Sequence, residues 1–284
     1  MEEEDEVFPP PRLPEPTPTP APIEPSSRTT APRGVRWAST PTAAAAAGAL
    51  VAAGAFGVWA LRRTAADLNL AVGNADAIAV RPEKGDILVA EGRELVDLSR
   101  GGRTLGRSPL DAPVDSMCWN QGSLWTADGR AASIVERAED GRTTVFSLNH
   151  VPGALYVRGR YLWTADKSGG ALHQFLISRS ILGAMLQPLD SFELHGLAAE
   201  SFTIDEAGTL WLVDAATRRL YRLRLENGTY KRFSSAPLSP FVGPQGKLRD
   251  MTIDGDAIWI LAEQGGGRAA LRRIAISRFD WTRS

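Results

Sequence analysis

Cysteine and histidine are scarce in this 284-residue chain, and neither sign of charge is in excess. Cys118 is the only cysteine, which excludes an internal disulfide and a zinc site built on several thiolates. The only histidines are His150, His173 and His195, and their spacing provides no helical ligand pair of the HExxH type. The formal net charge of −1 lacks the basic excess of a dedicated nucleic-acid binder, so we expect no nucleic-acid partner.

The chain also lacks a GxSxG segment, the local signature of a nucleophilic serine in one large class of hydrolases. We interpret each histidine as a structural or surface residue. Cys118, next to Trp119 in an apolar run, is interpreted as a small buried side chain. Because no convergent catalytic group stands out, we predict that the protein is not an enzyme. We also predict no catalytic residue, no metal and no other cofactor.

Residues 1–39 combine an acidic run, Glu2 to Glu6, with a stretch in which proline occupies nearly every second position. Each proline removes a backbone donor and pushes the preceding residue toward extended geometry, so neither helix nor sheet is favoured. We predict a disordered tether with polyproline II character. Its PxxP spacing leaves two interpretations open, a simple spacer and a docking tail for a partner with an aromatic groove.

Residues 40–63 are predicted to form a transmembrane helix. The run Thr42–Leu61 carries no charge, and at helical rise it spans about 30 Å, the thickness of a bilayer core. Trp37 and Trp59 lie near its two ends, where interfacial rings are favoured, and an arginine pair follows it. We interpret the segment as a signal anchor, because too many polar residues precede it for the start of a cleaved signal peptide.

Arginines beside the span indicate its orientation. Arg28, Arg33 and Arg36 precede it, whereas only Arg62 and Arg63 follow it closely. This small excess favours a cytoplasmic N-terminus. The Ala-, Arg- and Gly-rich composition is typical of bacterial proteins. We therefore expect a single-pass protein of the bacterial inner membrane, with the rest of the chain in the periplasm or outside the cell.

From residue 66 onward one short pattern recurs: a polar turn, an aliphatic residue followed in four copies by tryptophan, and an acidic end in most copies. The first aliphatic residues of successive copies are 37 to 48 positions apart. A short apolar strand precedes each copy, and a polar loop and another strand follow it. The five copies are Gly85–Glu91, Gly122–Asp128, Arg160–Asp166, Gly208–Asp214 and Asp256–Ala262.

Apolar side chains fall on both faces of the repeated strand, which suits a strand sandwiched between two neighbouring sheets. Equivalent residues in several copies indicate a requirement of the fold more than of chemistry. We therefore assign structural roles to the repeated tryptophans and aspartates, which are Trp125, Asp128, Trp163, Asp166, Trp211, Asp214 and Trp259.

The segment Phe202–Leu223 resembles an NHL-type propeller repeat, of the kind related to YVTN and SMP-30-like repeats. It runs as an apolar strand, an Asp-x-x-Gly turn, an aliphatic–aromatic strand ending in Asp214, a small polar turn with a basic residue, and a final strand. The fifth copy departs from this pattern, with Ala262 in place of the terminal aspartate. The resemblance covers most of residues 74–281. It implies a β-propeller but not a function, since such propellers include binding modules, sensors and hydrolases.

Five sheet units of about forty residues each predict an all-β propeller domain over residues 66–284. We expect five blades, with six as the alternative because the longer third and fourth repeats have room for further strands. The strand Asp67–Val72 is expected to complete the last blade beside Leu271–Ser277. Closure of this kind removes exposed sheet edges.

In a propeller, the loop after the repeated strand opens on the same face as the loop that leads into each blade. Each loop of the first kind carries an acidic and a basic residue. One interpretation is a charged ring that binds a polar or anionic ligand or partner. The alternative is that each acid caps its own turn and pairs with its local cation. The cations of this predicted binding ring are Arg93, Arg130, Lys167, Arg218 and Arg268.

A hydrolase of the lactonase type is the alternative function. Propellers of that kind hold a divalent ion over the channel with carboxylates and an amide. The residues available near the blade entrances are Asp76, Asn120, Asp205 and Asp254, with Glu193 and Glu200 in the longest connection. Their spacing is not diagnostic of a metal site.

The sequence therefore predicts a membrane-anchored, extracytoplasmic β-propeller that acts as a scaffold or sensor in a cell-envelope complex. Its expected partner is another envelope or membrane protein, or a cell-wall polymer. Anchoring through one helix suits this role, because the propeller is held at high local concentration near its partner.

Overall fold

The computed structural model describes residues 68–283, except residues 169, 182, 244–245 and 264–267. Within these residues the fold is almost entirely β, with 21 strands in five antiparallel sheets. The predicted tail (1–39) and the predicted transmembrane helix (40–63) lie outside the described residues. None of the helices in the described part of the chain is long and apolar enough to cross a bilayer.

Each sheet is one blade, and the strands of blades 1 to 4 follow one another in chain order from the centre outward. Blade 1 consists of β2 (Ala75–Arg81), β3 (Asp86–Glu91), β4 (Glu94–Ser99) and β5 (Thr104–Pro109). Blade 2 consists of β6 (Ser116–Asn120), β7 (Ser123–Asp128), β8 (Ser133–Ala138) and β9 (Thr143–Ser147). Blade 3 consists of β10 (Pro152–Arg158), β11 (Tyr161–Asp166), β12 (Ala171–Ser180) and β13 (Gly183–Glu193).

Blade 4 contains five strands, because the end of the chain pairs with its outer edge. These strands are β14 (Ala199–Ile204), β15 (Leu210–Asp214), β16 (Arg219–Glu226), β17 (Thr229–Pro237) and β21 (Thr282–Arg283). A single-turn helix, α1 (Ser239–Val242), begins with proline at its first turn and leads into blade 5. A 3₁₀ turn over Ile276–Arg278 connects blade 5 with β21.

Blade 5 joins the first strand of the described chain to three strands from near its other end. It contains β18 (Leu248–Asp254), β19 (Ala257–Glu263), β20 (Ala269–Ala275) and, at the rim, β1 (Leu68–Val72). The register of β1 and β20 pairs Val72 with Ala269 and Leu68 with Arg273. The expected closing strand is thus confirmed.

The inner strands close into a ring, since β2, β6, β10, β14 and β18 each contact the inner strand of the next blade and β18 contacts β2. The all-β, five-bladed propeller is therefore confirmed, and the six-bladed alternative is wrong. The extra length of the third and fourth repeats forms the long hairpin β12–β13 in blade 3 and the hairpin β16–β17 with α1 in blade 4.

The repeated strands are the second strands of their blades and lie between neighbouring sheets. Trp125, Trp211 and Trp259 are almost fully buried there, whereas Trp163 is half-buried beside Tyr156 and Tyr161. Burial on both faces of these strands supplies most of the apolar contact between blades.

Side chains bridge the inner strands of neighbouring blades, whose backbones do not form one continuous sheet. Asn120 of β6 exchanges two hydrogen bonds of 3.0 Å with the backbone of Gly159, and Ser116 accepts a bond from the Leu155 amide. The Cys118 thiol accepts a bond from the Val157 amide at 3.4 Å. These bonds satisfy backbone groups that would otherwise be buried without partners.

Candidate functional site

The central channel opens at two ends, and the first residues of the inner strands form what we name the upper mouth. Its equivalent positions are occupied by Asp76, Asp115, Gly153, Glu200 and Arg249. Four of the five are charged. They come from five different blades, so only closure of the ring brings them together.

β-Bulges aim several of these side chains at the channel. In four inner strands the pairing register with the second strand skips one residue, at positions 76, 153, 200 and 249. A bulge leaves one residue out of the ladder and redirects its side chain, and such bulges are common beside active sites. Asp115 directly precedes β6 and reaches the same place without a bulge.

Gly153 leaves a gap in this ring. A Cβ atom at this position would lie 2.9 Å from the Cα of Lys167, so the backbone of blade 3 requires glycine there. The loop after β11 therefore packs directly over the inner strand and extends the Lys167 side chain toward Asp115, at 3.1 Å. In this way the mouth gains a cation from the second strand of blade 3.

Ion pairs organise the charges of the upper mouth. The Arg249 guanidinium lies 3.2 Å from a carboxylate oxygen of Asp76 and 2.8 Å from one of Glu263. Lys247 lies 4.0 Å from Glu200, a separation that leaves its ammonium group free to turn toward a ligand. The mouth thus presents both carboxylates and cations around a cavity of about 290 Å³.

Burial perturbs two of these carboxyl groups. It raises the pKa of Glu200 above the usual range of a glutamate, against the opposing effect of Lys247. It also raises the pKa of Asp76, against the effect of Arg249 and together with the negative charge of Asp115. Carboxyl groups of this kind exchange protons closer to neutral pH than exposed ones, as a general acid or base must.

Asp250 forms the floor beneath the mouth. Its carboxylate is buried and accepts hydrogen bonds from the Ile78 amide at 3.0 Å and from the Ser201 hydroxyl at 2.7 Å. Burial raises the pKa of Asp250 to about 7 in spite of these bonds. This one side chain therefore ties blades 5, 1 and 4 together at the centre of the ring.

A second pocket of about 270 Å³ adjoins the mouth between blades 4 and 5 and shares Glu200, Lys247 and Leu248 with it. Its outer wall is α1 and the loop that follows. Arg218 fixes this wall by donating hydrogen bonds to the carbonyl groups of Gly243 and Gly246, at 2.8 and 2.5 Å. The apolar lining provided by Val213, Leu238 and Val242 gives room for a non-polar part of a ligand.

The structure distributes the predicted binding cations unevenly. Lys167 lines the upper mouth, and the charge of Arg130 lies close enough to lower the pKa of Asp76. Arg218 donates hydrogen bonds to the loop after α1, whereas Arg93 and Arg268 are exposed. The mouth cations that sequence analysis missed are Arg249 and Lys247. A signal for the inner ring did exist, since a charged residue stands two places before a large apolar residue in four of the blades, the apolar residues being Ile78, Met117, Phe202 and Met251.

The residues considered for a lactonase-type metal separate to different places. Asp76 and Glu200 lie at the upper mouth, whereas Asn120, Asp205 and Asp254 lie at the opposite end of the inner strands, and Glu193 is exposed at the end of β13. Asp205 caps its own turn, accepting hydrogen bonds from the Thr209 amide and the Trp211 indole at 2.8 Å each. Because the residues lie at opposite ends of the channel or on an outer strand, the six cannot form one ligand set.

The described residues contain one group of three side chains whose ligand atoms all lie within 4.8 Å of one another, namely His150, Asp166 and His173. It lies in blade 3, and no signal in the sequence pointed to it. The fold brings together two histidines that sequence analysis interpreted separately.

No protein-family model and no curated protein matches the chain. Solved structures do share its fold. A glutaminyl cyclase from Myxococcus xanthus matches with a TM-score of 0.53 and 11% identity, over 75% of this chain and 98% of the cyclase. A streptogramin B lyase matches with a TM-score of 0.46 and 15% identity, over 77% and 73% of the two chains. A luciferin-regenerating enzyme matches with a TM-score of 0.47 and 14% identity, over 68% and 74%. At such identities the likeness establishes the β-propeller fold alone.

The prediction that the protein is not an enzyme is contradicted by the cyclase comparison, because the same fold is that of an enzyme in Myxococcus xanthus. The prediction rested on the absence of a local catalytic motif. A propeller assembles its channel mouth from single residues of different blades, so a site there leaves no motif in the sequence.

Proposed function

We propose that the protein is an enzyme that performs acid–base chemistry, hydrolysis or elimination, on a small anionic substrate at the upper mouth. The observation that carries this proposal is the pairing of two carboxyl groups of raised pKa, Glu200 and Asp76, with Arg249, Lys247 and Lys167 around one cavity. Perturbed carboxyl groups in a cleft are typical of catalytic sites.

The residues divide naturally into two roles. Lys247 and Lys167 are long cations with exposed heads, suited to binding a substrate carboxylate or a developing oxyanion. Glu200 lies beside Lys247, and the raised pKa suits transfer of a proton to or from the bound substrate. Arg249 holds Asp76 and Glu263 in place, which fixes the ring of charge before substrate arrives.

The test is an activity screen of the purified full-length protein in detergent, using anionic esters, lactones and amides for hydrolysis and saturated acids with a β-leaving group for elimination. We expect turnover of one class, and a loss of about 100-fold or more in Glu200→Gln. Glu193→Gln is the matched control, because Glu193 is an exposed glutamate outside the mouth. Undiminished turnover in Glu200→Gln would exclude the proposed role. Loss of turnover on chelation would support the metal-dependent alternative instead.

A second role, docking of an envelope partner, is favoured by one observation on blade 3. Its outer hairpin β12–β13 presents Ile181, Met185 and Leu189 to solvent, and Ile181 is fully exposed. Exposed apolar side chains clustered on one hairpin are typical of contact surfaces. In-cell crosslinking of the full-length protein is expected to capture one envelope protein, and Met185→Glu is expected to abolish the capture. Equal capture by the variant would contradict this surface.

We also propose that residues 40–63 anchor the protein in the bacterial inner membrane, with residues 1–39 in the cytoplasm and the propeller outside it. The uncharged span and the arginine distribution beside it support this topology. A reporter enzyme that is active only outside the cytoplasm, fused after Ser284, is expected to be active. Activity of a cytoplasmic reporter at the same position would reverse the topology.

A further inference from the structure

Three structural elements meet near the outer half of blade 3. Asp166 ends β11, His173 lies on the neighbouring strand β12, and His150 lies in the connection between β9 and β10. The pairing register places Thr164 of β11 opposite His173, and Asp166 follows Thr164 by two residues on the same face of the strand. His150 folds back over this face from the preceding blade.

The two imidazole rings approach closely. Their centroids are 4.2 Å apart with an interplanar angle of 33°, and His173 Nε2 lies 3.3 Å from Asp166 Oδ1. One ligand atom from each of His150, Asp166 and His173 lies within 4.8 Å of the other two. An ion with tetrahedral bonds of about 2.0–2.2 Å holds its ligand atoms about 3.4 Å apart, so the wider separations in this triangle would have to shorten when the ion binds.

The outward-facing nitrogen of each ring has its own partner. His150 Nδ1 lies 3.1 Å from the side-chain carbonyl oxygen of Asn149, and His173 Nδ1 lies 3.1 Å from the Ser191 hydroxyl. Such contacts fix the tautomer and orientation of a histidine and leave the Nε2 lone pair for another partner, as in metal sites with a supporting outer shell. The Nε2 atoms of both rings point to the side of β11. There His150 Nε2 meets the Thr164 hydroxyl at 2.7 Å, so an ion bound at this nitrogen would replace that hydroxyl.

His173 Nε2 has no hydrogen-bond partner among the described residues, although it is buried and Asp166 is near. The carboxylate lies within ion-pair distance but outside the geometry of a hydrogen bond. A buried polar nitrogen left in this state costs free energy unless a further group satisfies it. The arrangement therefore has a place for an additional ligand between the nitrogen and the carboxylate.

We propose that His150, Asp166 and His173 bind a divalent transition-metal ion of the zinc type. Two imidazoles and one carboxylate are a ligand set that suits Zn²⁺ and its neighbours in the first transition row. Three protein ligands leave a fourth position for water, and all three side chains are half-buried.

This site is separate from the upper mouth, whose carboxylates are Asp76, Asp115 and Glu200. Failure of one proposal leaves the other standing, because the metal test measures binding and does not depend on turnover. The site also differs from the lactonase arrangement, since its ligands come from the second and third strands of a blade and from a loop beside them.

The test is titration of Zn²⁺ alone into full-length protein that carries no histidine tag and has been stripped of metal with a chelator. Isothermal titration calorimetry is expected to show one equivalent bound, and the thermal midpoint is expected to rise with Zn²⁺. Co²⁺ is expected to give the visible absorption of a tetrahedral complex with nitrogen and oxygen ligands. His173→Ala and Asp166→Asn are each expected to weaken binding by about 100-fold or more.

His195→Asn is the matched control. It removes the third histidine of the chain, which is exposed and has a positive φ that asparagine tolerates. This variant is expected to bind Zn²⁺ as the parent does. Melting of each variant in the absence of metal shows that it is folded. Equal Zn²⁺ affinity in the parent, His173→Ala and Asp166→Asn would overturn the proposal, as would an equal loss in His195→Asn.

Discussion

Blades 3 and 4 contain the same repeated pattern, Leu-Trp-x-x-Asp, but the two aspartates at its end lie in opposite environments. In blade 4, Asp214 is fully buried and accepts hydrogen bonds from the Ala198 amide at 2.7 Å and from the Thr217 amide at 2.8 Å. Burial alone would raise the pKa of Asp214, but the bonds from Thr217 and Ala198 outweigh it and hold the pKa below the usual value. This aspartate is a structural cap.

In blade 3, Asp166 is half-buried and faces His173 instead of its own turn. No backbone amide of the described residues donates a hydrogen bond to its carboxylate. The tryptophans differ in the same way, since Trp211 is buried and Trp163 is half-buried. The repeat therefore specifies a strand, whereas neighbouring side chains decide whether its acidic end stabilises the fold or remains available for a ligand.

Removing the two carboxylates is expected to give the largest contrast. Asp214→Ala leaves two buried amides without acceptors and is expected to lower the free energy of unfolding by about 3 kcal/mol. Asp166→Ala, measured without metal, is expected to cost less than about 1 kcal/mol, because its carboxylate is partly exposed. Urea unfolding followed by tryptophan fluorescence measures both. Equal losses would remove the distinction between the two blades.

The inner strands of blades 3 and 4 differ in their contact with Asp250, and the titration of Asp250 is expected to make the stability of the fold depend on pH. Blade 4 offers Ser201 to Asp250, while blade 3 has Ala154 at the equivalent position. The folded-state pKa of Asp250, about 7, is above the ordinary value of 3.8, so the folded state binds this proton more tightly. The contribution to stability is therefore greatest below about pH 4 and is lost as pH rises through 7.

The measurement is the free energy of unfolding of the parent and of Asp250→Asn between pH 4.5 and 7.5. We expect the parent to lose stability relative to the variant as pH rises. Ala154→Ser, which adds a hydroxyl to blade 3, is the control and is expected to leave this slope unchanged. A parent and a variant with parallel pH profiles would show that Asp250 does not titrate in this range.

Exchange of the tryptophans is expected to give a smaller contrast. Trp211→Phe loses the indole hydrogen bond to Asp205 and leaves space in a closed core, with an expected cost of about 2 kcal/mol. Trp163→Phe is expected to cost less than about 1 kcal/mol, since its ring is only half-buried, beside Tyr156 and Tyr161. Thermal melting of both variants measures the two losses of stability, and a greater loss in Trp163→Phe would contradict the expected order.

The smallest effect is expected for the reactivity of Cys118, which lies where the inner strands of blades 2 and 3 meet. Burial raises the pKa of the Cys118 thiol to about 12, and its sulfur bonds to the Val157 amide. We expect a thiol reagent to label Cys118 in urea but to leave the native protein unlabelled for hours at pH 8. Because Cys118 is half-buried and lines the cavity at the opposite end of the channel from the upper mouth, rapid native labelling would show that its raised pKa does not protect the thiol.

Much of the fold was predictable from the sequence, because the repeated strand recurs with its own turns and a propeller is the arrangement that buries both of its faces. The closing strand beside β20 was predictable for the same reason. The functional positions were less predictable from the sequence. Glu200 was considered as one of six scattered carboxyl and amide residues, but its neighbours Lys247 and Arg249 were missed, since they become neighbours only when blades 4 and 5 pack together.

Hydrophobic pattern and turn residues act over a few positions along the chain, so they predicted the β-propeller, the order of its strands and the packing of Trp125, Trp211 and Trp259. The number of blades stayed open between five and six until ring closure fixed it. Tertiary structure alone decided which polar residues meet. The bulges at Asp76, Glu200 and Arg249 turn those side chains into the channel, and the register of β11 with β12 sets His173 beside Asp166. Such meetings depend on ring closure and strand register, which no local pattern encodes.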